Sequence, residues 1–156
     1  MEVLDEKDAE ILRLLQQNAH FTLKELANKI NLSPSPTFDR QKRLERLNYI
    51  KGYVALVDYK KAGNRLIVLC YIKLKEQKRD CAMHLVNTIN QYKEVAECYN
   101  MAGDYDYIIK IYLRDMDHYR DFVVNKLATI ESIGNFSSNF VIEEIKFSPR
   151  VPVYSN

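Results

Sequence analysis

The spacing of apolar residues changes once along this chain of 156 residues, near residue 49. Before that point apolar side chains recur every three to four residues, as they do along the buried face of an α-helix. Beyond it the pattern changes to the two-residue alternation of β-strands, interrupted by two more helical stretches. We therefore predict an α+β chain with two domains: residues 1–60, with a connection to about residue 64, and residues 65–156.

Capping signals predict where the first helices begin and end. Asp5 precedes an amphipathic stretch and is a candidate N-cap, since its carboxylate can accept a hydrogen bond from a backbone N–H at the helix start. Thr22 and Glu25, in the sequence TLKE, have the spacing of a capping box, in which each side chain accepts from the other residue's backbone N–H. Asn31 then ends the second predicted helix.

A third helix follows two closely spaced prolines. The residue before a proline is driven toward extended backbone, so the chain must turn between residues 31 and 35. Proline suits the first helical turn, which predicts a helix start at about Pro36 with Ser35 as the N-cap. Asn48 tolerates a positive φ and suits the end of this helix. The sequence therefore predicts a helix, a short turn and a second helix, an arrangement that many DNA-binding proteins use.

The net charge of +2 is unevenly distributed. Residues 1–32 carry four Lys or Arg against six Asp or Glu, residues 33–60 carry six against three, and residues 61–156 carry thirteen against twelve. The positive excess lies on and just after the third helix, as expected when one element meets a polyanion. A solvated, charged helix is the alternative interpretation. We predict a DNA-binding surface that comprises Ser33, Ser35, Thr37, Phe38, Arg40, Lys42, Arg43 and Arg46.

The second domain is predicted to have its elements in the order βαββαβ, which is the ferredoxin-like arrangement. The strands are predicted at about residues 66–75, 95–101, 106–114 and 136–147, and the helices at about 79–92 and 116–131. A short strand or hairpin is predicted ahead of them, over residues 49–58. Two helices cover only one face of such a sheet, yet the segment LIVLCYI, residues 66–72, is apolar on both faces. We therefore expect a second copy of the chain to cover the other face, giving a homodimer.

The sequence carries no recognisable catalytic or metal-binding motif. Its three histidines are scattered, HExxH and GxSxG are absent, and its three cysteines form no CxxC pair, which favours reduced packing thiols. We therefore predict that the protein is not an enzyme and that it has no catalytic residue, no metal site and no cofactor. The longest strictly apolar run is far shorter than the roughly 20 residues of a membrane span, and the N-terminus is acidic. These features predict a cytoplasmic protein without a membrane partner.

Three stretches of the sequence carry a family resemblance. They are LDEKDAEILRLLQQNAHFTLKELANKINLSPSPTFDRQKRLERLNYIKGY at residues 4–53, GDYDY at residues 103–107 and VIEEIK at residues 141–146. In these stretches the chain resembles the Lrp/AsnC family of bacterial and archaeal transcriptional regulators, over nearly its whole length. Two positions depart from the family's pattern: Asn48 stands where glycine is usual, and Gln41 where a β-branched apolar residue is common.

The resemblance implies a winged helix-turn-helix DNA-binding domain joined to a ligand-responsive ferredoxin-like domain. It further implies a dimer that often assembles into an octamer, and a pocket for a small amino-acid effector at the interface between dimers. From the residues alone, the turn at Gly103 reads as an ordinary β-turn. By resemblance, the effector pocket is predicted to comprise Tyr99, Gly103, Asp104, Tyr105, Asp106, Ser137, Ser138 and Phe140.

Two functions follow from the residues and the resemblance together. The first is a sequence-specific transcriptional regulator that binds double-stranded DNA and whose assembly or DNA affinity responds to an amino-acid-type effector. The second is an enzyme similar to the sirohaem decarboxylases, which look like this family. Such an enzyme would need a basic, histidine-containing pocket for a tetrapyrrole and no basic recognition helix. Here the positive excess lies on the third helix and the second half has few histidines, which favours the regulator.

Overall fold

The structure, a computed structural model, describes residues 4–155 as two compact units. The first comprises the chain up to Leu56 together with the segment from Lys146 onward, and the second is Val57–Ile145. These units differ from the predicted domains, because the C-terminal segment joins the first unit. Arg13 donates a hydrogen bond to the carbonyl oxygen of Val153 at 3.0 Å. This contact between distant parts of the sequence is invisible to local pattern analysis.

Three helices form the first unit: α1 (Glu6–Gln17), α2 (Leu23–Lys29) and α3 (Pro34–Arg46). The predicted N-cap at Asp5 and the predicted capping box of Thr22 and Glu25 are both confirmed. The Asp5 carboxylate accepts from the backbone N–H of Asp8 at 2.8 Å, and the Glu25 carboxylate accepts from that of Thr22 at 2.8 Å. The helices enclose a small apolar core whose fully buried members include Ile11, Leu26, Ile30 and Leu44.

The third helix begins two residues earlier than predicted. Its N-cap is Ser33, and Pro34 occupies the first helical position. Both prolines of the SPSP stretch therefore lie in the first turn, where a backbone N–H has no partner within the helix and its absence costs nothing. The predicted helix ends are confirmed by the left-handed backbone of Asn31 and Asn48, whose φ angles are +54° and +59°.

The predicted strand or hairpin over residues 49–58 is wrong. None of these residues is in a strand in the structure. Tyr49 and Ile50 instead donate their backbone N–H groups to the carbonyl oxygen of Leu44, which closes the end of α3. A β-strand needs a neighbouring strand for its hydrogen bonds, and alternating sequence alone does not supply one.

The second unit has the predicted βαββαβ order. Its elements are β1 (Leu66–Leu74), α4 (Arg79–Ile89), β2 (Val95–Asn100), β3 (Tyr107–Leu113), α5 (Met116–Asn125) and β4 (Ile133–Phe140). The strands form one antiparallel sheet in the order β2-β3-β1-β4. The largest differences from the predicted limits are that α5 gives way to a short 3₁₀ turn at Leu127–Thr129 and that β4 ends at Phe140 rather than near residue 147.

The two faces of the sheet differ in burial. Alternate residues of β1 and β3 pack beneath α4 and α5, where Cys70, Ile109 and Phe122 are fully buried. Burial raises the pKa of the Cys70 thiol, consistent with a packing role. The other face carries a row in which Tyr99, Ile108, Tyr71 and Ser137 are neighbours on successive strands. This open face is half-buried and only partly apolar, because it carries Leu69, Tyr71 and Ile108 together with the charged Lys73, Glu97 and Lys110.

A buried carboxylate lies near the start of β2. Glu94 is 5% exposed, and its Oε1 accepts a hydrogen bond from the Nζ of Lys126 at 2.8 Å. The Nε2 of His118 lies 3.4 Å from the same oxygen. Its Oε2 has no hydrogen-bond partner among the described residues. Burial alone would raise the pKa of Glu94, but the bond from Lys126 and the other donors outweigh burial and hold this pKa below its ordinary value.

Candidate nucleic-acid interface and effector cleft

Helices α2 and α3 form a helix-turn-helix. The chain leaves α2 at the left-handed Asn31 and enters α3 at Ser33, so the connection is only a few residues long. The Ser33 side chain makes no capping hydrogen bond. Pro34 and Pro36 have no backbone N–H, and the N–H of Thr37 donates to the carbonyl oxygen of Ser33 at 3.4 Å. This leaves the Ser35 N–H as the backbone donor of the first turn that can face a phosphate.

One side of α3 faces away from the core of the first unit. Residues at three- and four-residue spacing are exposed along this side: Ser35, Phe38, Asp39, Lys42 and Arg46. The Nζ of Lys42 lies 5.7 Å from the centre of the Phe38 ring, and it also pairs with Glu45 at 2.7 Å. Arg46 has no ion-pair or hydrogen-bond partner among residues 4–155. We call Ser35, Phe38, Asp39, Lys42 and Arg46 the exposed stripe.

Two arginines that were predicted to bind DNA instead contact carboxylates at the start of α1. Arg40 donates to Asp5 at 2.6 Å and to Asp8 at 2.8 Å, and Arg43 pairs with the second oxygen of Asp8. The carboxylates of Asp5 and Asp8 raise the pKa of Arg40 above its ordinary value. Both guanidinium groups are thus bound to α1, about 30% exposed, and not part of the exposed stripe.

Thr37 requires a correction. Its side chain is fully buried, and its hydroxyl donates to the carbonyl oxygen of Ser33 at 2.9 Å. A buried residue cannot contact a nucleic acid, so Thr37 packs α3 against the core instead. The prediction failed because it took the whole start of α3 as facing DNA, whereas the Thr37 side chain lies on the side of the helix that faces the core.

The acidic turn of the predicted effector pocket connects β2 to β3. Gly103 has a φ of +139°, and a Cβ added there would contact nothing within 4 Å, so only backbone conformation restricts this position. Asp106 has a structural role: its Oδ2 accepts from the backbone N–H of Leu74 at 2.8 Å, and its Oδ1 from the Nε2 of Gln77 at 3.2 Å. Lys73 lies 3.7 Å from the same Oδ1.

A cleft of about 430 Å³ opens beside this turn. Gly103 and Asp106 line it together with the start of α4, including Lys78 and Arg79. Lys78 and Arg79 were not predicted as site residues, although the sequence placed the start of a helix there. The cleft combines one carboxylate, two cationic side chains and a helix N-terminus with apolar walls from residues such as Leu74 and Ala82.

The other predicted pocket residues lie away from the cleft. Tyr99 and Ser137 are on the open sheet face, where the Tyr99 hydroxyl donates to Glu97 at 2.8 Å. Ser138 lies 3.2 Å from the sulfur of Cys70, and Phe140 packs against Tyr119 of α5, so both are on the helix-covered face. A single chain therefore does not bring the predicted set together. Asp104 and Tyr105 remain in the turn, with the Tyr105 ring 5.6 Å from that of Tyr71.

Two family descriptions match the chain. A winged helix-turn-helix DNA-binding domain matches residues 4–51, and an Lrp/AsnC ligand binding domain matches residues 67–151. The chain belongs to the Lrp/AsnC family. These domains make it a DNA-binding transcriptional regulator with a ligand-binding domain, and they confirm the family and fold predicted from sequence.

Relatives of similar length support the assignment to the Lrp/AsnC family. The transcriptional regulator AzlB of Bacillus subtilis (strain 168) is 35% identical over 151 residues, covering 97% of this chain and 96% of that protein. The leucine-responsive regulatory protein of Escherichia coli (strain K12) is 31% identical and covers 96% of this chain and 92% of its own length. A regulator from Neisseria meningitidis, solved as a complex with L-Met, has a TM-score of 0.90 at 29% identity, with 96% of each chain covered.

Proposed function

We propose that this chain regulates transcription by binding double-stranded DNA through the exposed stripe of α3, and that an amino-acid-type effector bound at the cleft modulates its assembly or DNA affinity. The observation that carries the proposal is the exposed stripe itself. It lies on the second helix of a helix-turn-helix, begins at Ser35 in the first turn and ends at Arg46, which has no ion-pair or hydrogen-bond partner among the described residues.

The residues of the stripe suit different parts of a duplex. Ser33 and Ser35 lie at the helix start, where their hydroxyl groups and the backbone N–H of Ser35 can bind a phosphate. Phe38 is 46% exposed, and an exposed aromatic ring can contact the methyl group of thymine in the major groove. Lys42 and Arg46 follow one and two turns later and can reach either base edges or phosphates.

The cleft fits a free amino acid, which carries an ammonium and a carboxylate group. Asp106 can accept hydrogen bonds from the ammonium group, while Arg79 and the backbone N–H groups at the start of α4 can bind the carboxylate. Its volume of about 430 Å³ lies within the usual range for small-molecule sites. The leucine-responsive relative and the L-Met complex support this class of ligand for the present chain.

We further propose that the chain forms a homodimer through the open sheet face, and that such dimers assemble to an octamer. Tyr99 is 56% exposed there and adjoins the half-buried Ile108 and Tyr71. A second copy would cover this apolar row and bring its own Tyr99 and Ser137 to the interface. No described helix is long and apolar enough to cross a membrane. We also propose a cytoplasmic location and a non-enzymatic role.

The DNA interface is tested with Arg46→Ala in the full-length chain. The probe is a duplex that the wild-type protein selects from a random-sequence library, and affinity is measured by fluorescence anisotropy at several salt concentrations. Loss of a phosphate contact should weaken binding and reduce the slope of log affinity against log salt by about one. The matched control is Arg120→Ala, an exposed arginine of α5, which should bind as the wild type does. Equal affinities of Arg46→Ala and the wild type for the duplex would exclude Arg46, the last residue of the exposed stripe, from the DNA interface.

A further inference from the structure

We infer that Asp8 is a positioning residue for the DNA-binding helix: from the buried start of α1 it holds Arg40 and Arg43, and through them it fixes the direction in which α3 presents the exposed stripe. The inference rests on the proposed function of that stripe. Asp8 itself is fully buried and cannot contact DNA.

Both carboxylate oxygens of Asp8 are used. Oδ1 accepts from Arg40 at 2.8 Å, while Oδ2 accepts from Arg43 and from the backbone N–H of Asp5 at 3.4 Å. A buried carboxylate is stable only when such donors satisfy it. Two of these three donors among the described residues come from α3. The position of α3 and the hydrogen bonding of the Asp8 carboxylate therefore depend on each other.

The two arginines hold α3 at two points. Arg40 and Arg43 are three residues apart, close to one helical turn, and they leave the helix on the side of α1, away from the centre of the exposed stripe. Arg40 is also bound by Asp5 at 2.6 Å. Turning α3 about its axis, or sliding it along its axis, would break both ion pairs. The arrangement therefore resists the two movements that would misdirect Phe38, Lys42 and Arg46.

This role predicts an effect opposite in sign to simple electrostatics. Asp8→Asn removes a negative charge from the DNA-binding unit, and long-range attraction to phosphates would then make binding tighter. Positioning predicts weaker binding of the selected duplex, because Asn offers one acceptor and turns an N–H₂ group toward a guanidinium group. The sign of the change separates the two explanations.

The experiment uses the full-length chain, the selected duplex and a shuffled duplex of the same composition. Affinities are measured at fixed salt and at a temperature where circular dichroism shows each variant to be folded. Asp8→Asn should bind the selected duplex at least roughly tenfold more weakly, with unchanged or tighter binding of the shuffled duplex. Asp8→Glu, which keeps the carboxylate, should recover part of the loss. In an Arg40→Gln, Arg43→Gln background, Asp8→Asn should add no further loss.

The matched control is Asp117→Asn, the same charge change at an exposed site of α5, which should leave both affinities unchanged. Wild-type or tighter binding of the selected duplex by Asp8→Asn would overturn the inference, and so would an equal loss on both duplexes. If Asp8→Asn does not fold, Asp5→Asn replaces it, since Asn caps a helix as well as Asp. Asp5→Asn should bind the selected duplex at least roughly twofold more weakly than the wild type does, and unchanged affinity would again overturn the inference. Failure of the wild type to select any duplex would instead refute the proposed function.

Discussion

Replacing Asp106 by Asn separates its structural role from its proposed role in effector binding. The Asp106 carboxylate accepts from the backbone N–H of Leu74 at 2.8 Å through Oδ2, and its Oδ1 faces Gln77 at 3.2 Å and Lys73 at 3.7 Å. Asn keeps one carbonyl oxygen for Leu74 and places an N–H₂ group where Oδ1 was. An effector's ammonium group would meet a donor there instead of an acceptor.

The structure gives the size of each change. In Asp106→Asn the Leu74 hydrogen bond survives and the Gln77 bond is lost, so the free energy of unfolding should fall by about 0.5–1.5 kcal/mol. Asp106→Ala removes both acceptors and leaves the Leu74 N–H without a partner, which should cost about 1–3 kcal/mol. An effector present at a hundred times its dissociation constant stabilises the folded wild type by about 2.7 kcal/mol, and Asp106→Asn should lose most of this stabilisation.

The assay is a thermal-shift screen of the common amino acids on the wild type, repeated on both Asp106 variants with any amino acid that raises the melting temperature. Asp117→Asn, on the exposed surface of α5, is the control for charge and should respond as the wild type does. An undiminished shift in Asp106→Asn would refute the reasoning, because it would show that the ammonium group does not bind this carboxylate. A lost response with retained selected-duplex binding would support a separate effector site.

Two further predictions concern assembly and pH. Ile108→Lys places a charge in the middle of the open sheet face, so light scattering should show a smaller assembly than the wild type. The control Val124→Lys, on the exposed side of α5, should not change the mass of the assembly. Equal masses for the wild type and both variants would exclude the open face as the interface. Lys126→Met leaves the buried Glu94 carboxylate without its main partner and should reduce the free energy of unfolding by about 1–3 kcal/mol near pH 7. Because the folded-state pKa of Glu94 is lowered, its contribution is complete above the ordinary Glu pKa of about 4.3 and is lost as the pH falls, so the difference between variant and wild type should shrink in acid. Lys7→Met, which breaks the exposed pair with Glu10, is the control with little expected change at either pH, and a pH-independent difference for Lys126→Met would contradict this account of Glu94.

Short sequence patterns correctly predicted the features that depend on residues close together in the sequence. The Asp5 and Thr22 caps, the left-handed Asn31 and Asn48, and the βαββαβ order each depend on residues a few positions apart, and all are present in the structure. The strand or hairpin predicted over residues 49–58 is absent, because alternating apolar residues do not by themselves supply the hydrogen-bonding partner that a strand needs.

The candidate sites were predicted less completely, for the same reason. Arg40 and Arg43 have the composition of a DNA-binding helix, but their carboxylate partners lie more than thirty positions earlier in the sequence. One signal could have indicated this: Asp8 falls on the apolar side of α1, in line with Ile11 and Leu12, where an acidic residue needs a buried partner. No comparable signal joined Arg79 to Gly103 and Asp106, because the cleft exists only once α4 packs on the sheet.

The pairing of the arginines changes how regional charge relates to DNA affinity. Residues 33–60 carry six Lys or Arg against three Asp or Glu, yet Arg40 and Arg43 are offset by Asp5 and Asp8 from the acidic first segment. Lys42 is paired with Glu45, which leaves Arg46 as the cation of the stripe without a described partner. Few phosphate contacts give weak binding whose affinity depends only slightly on salt concentration. One copy of the stripe would therefore bind DNA poorly, and two copies joined through the open sheet face would bind far better because the second contact becomes intramolecular. In the proposed assembly, an effector that changes how the copies associate would change DNA affinity without contacting α3.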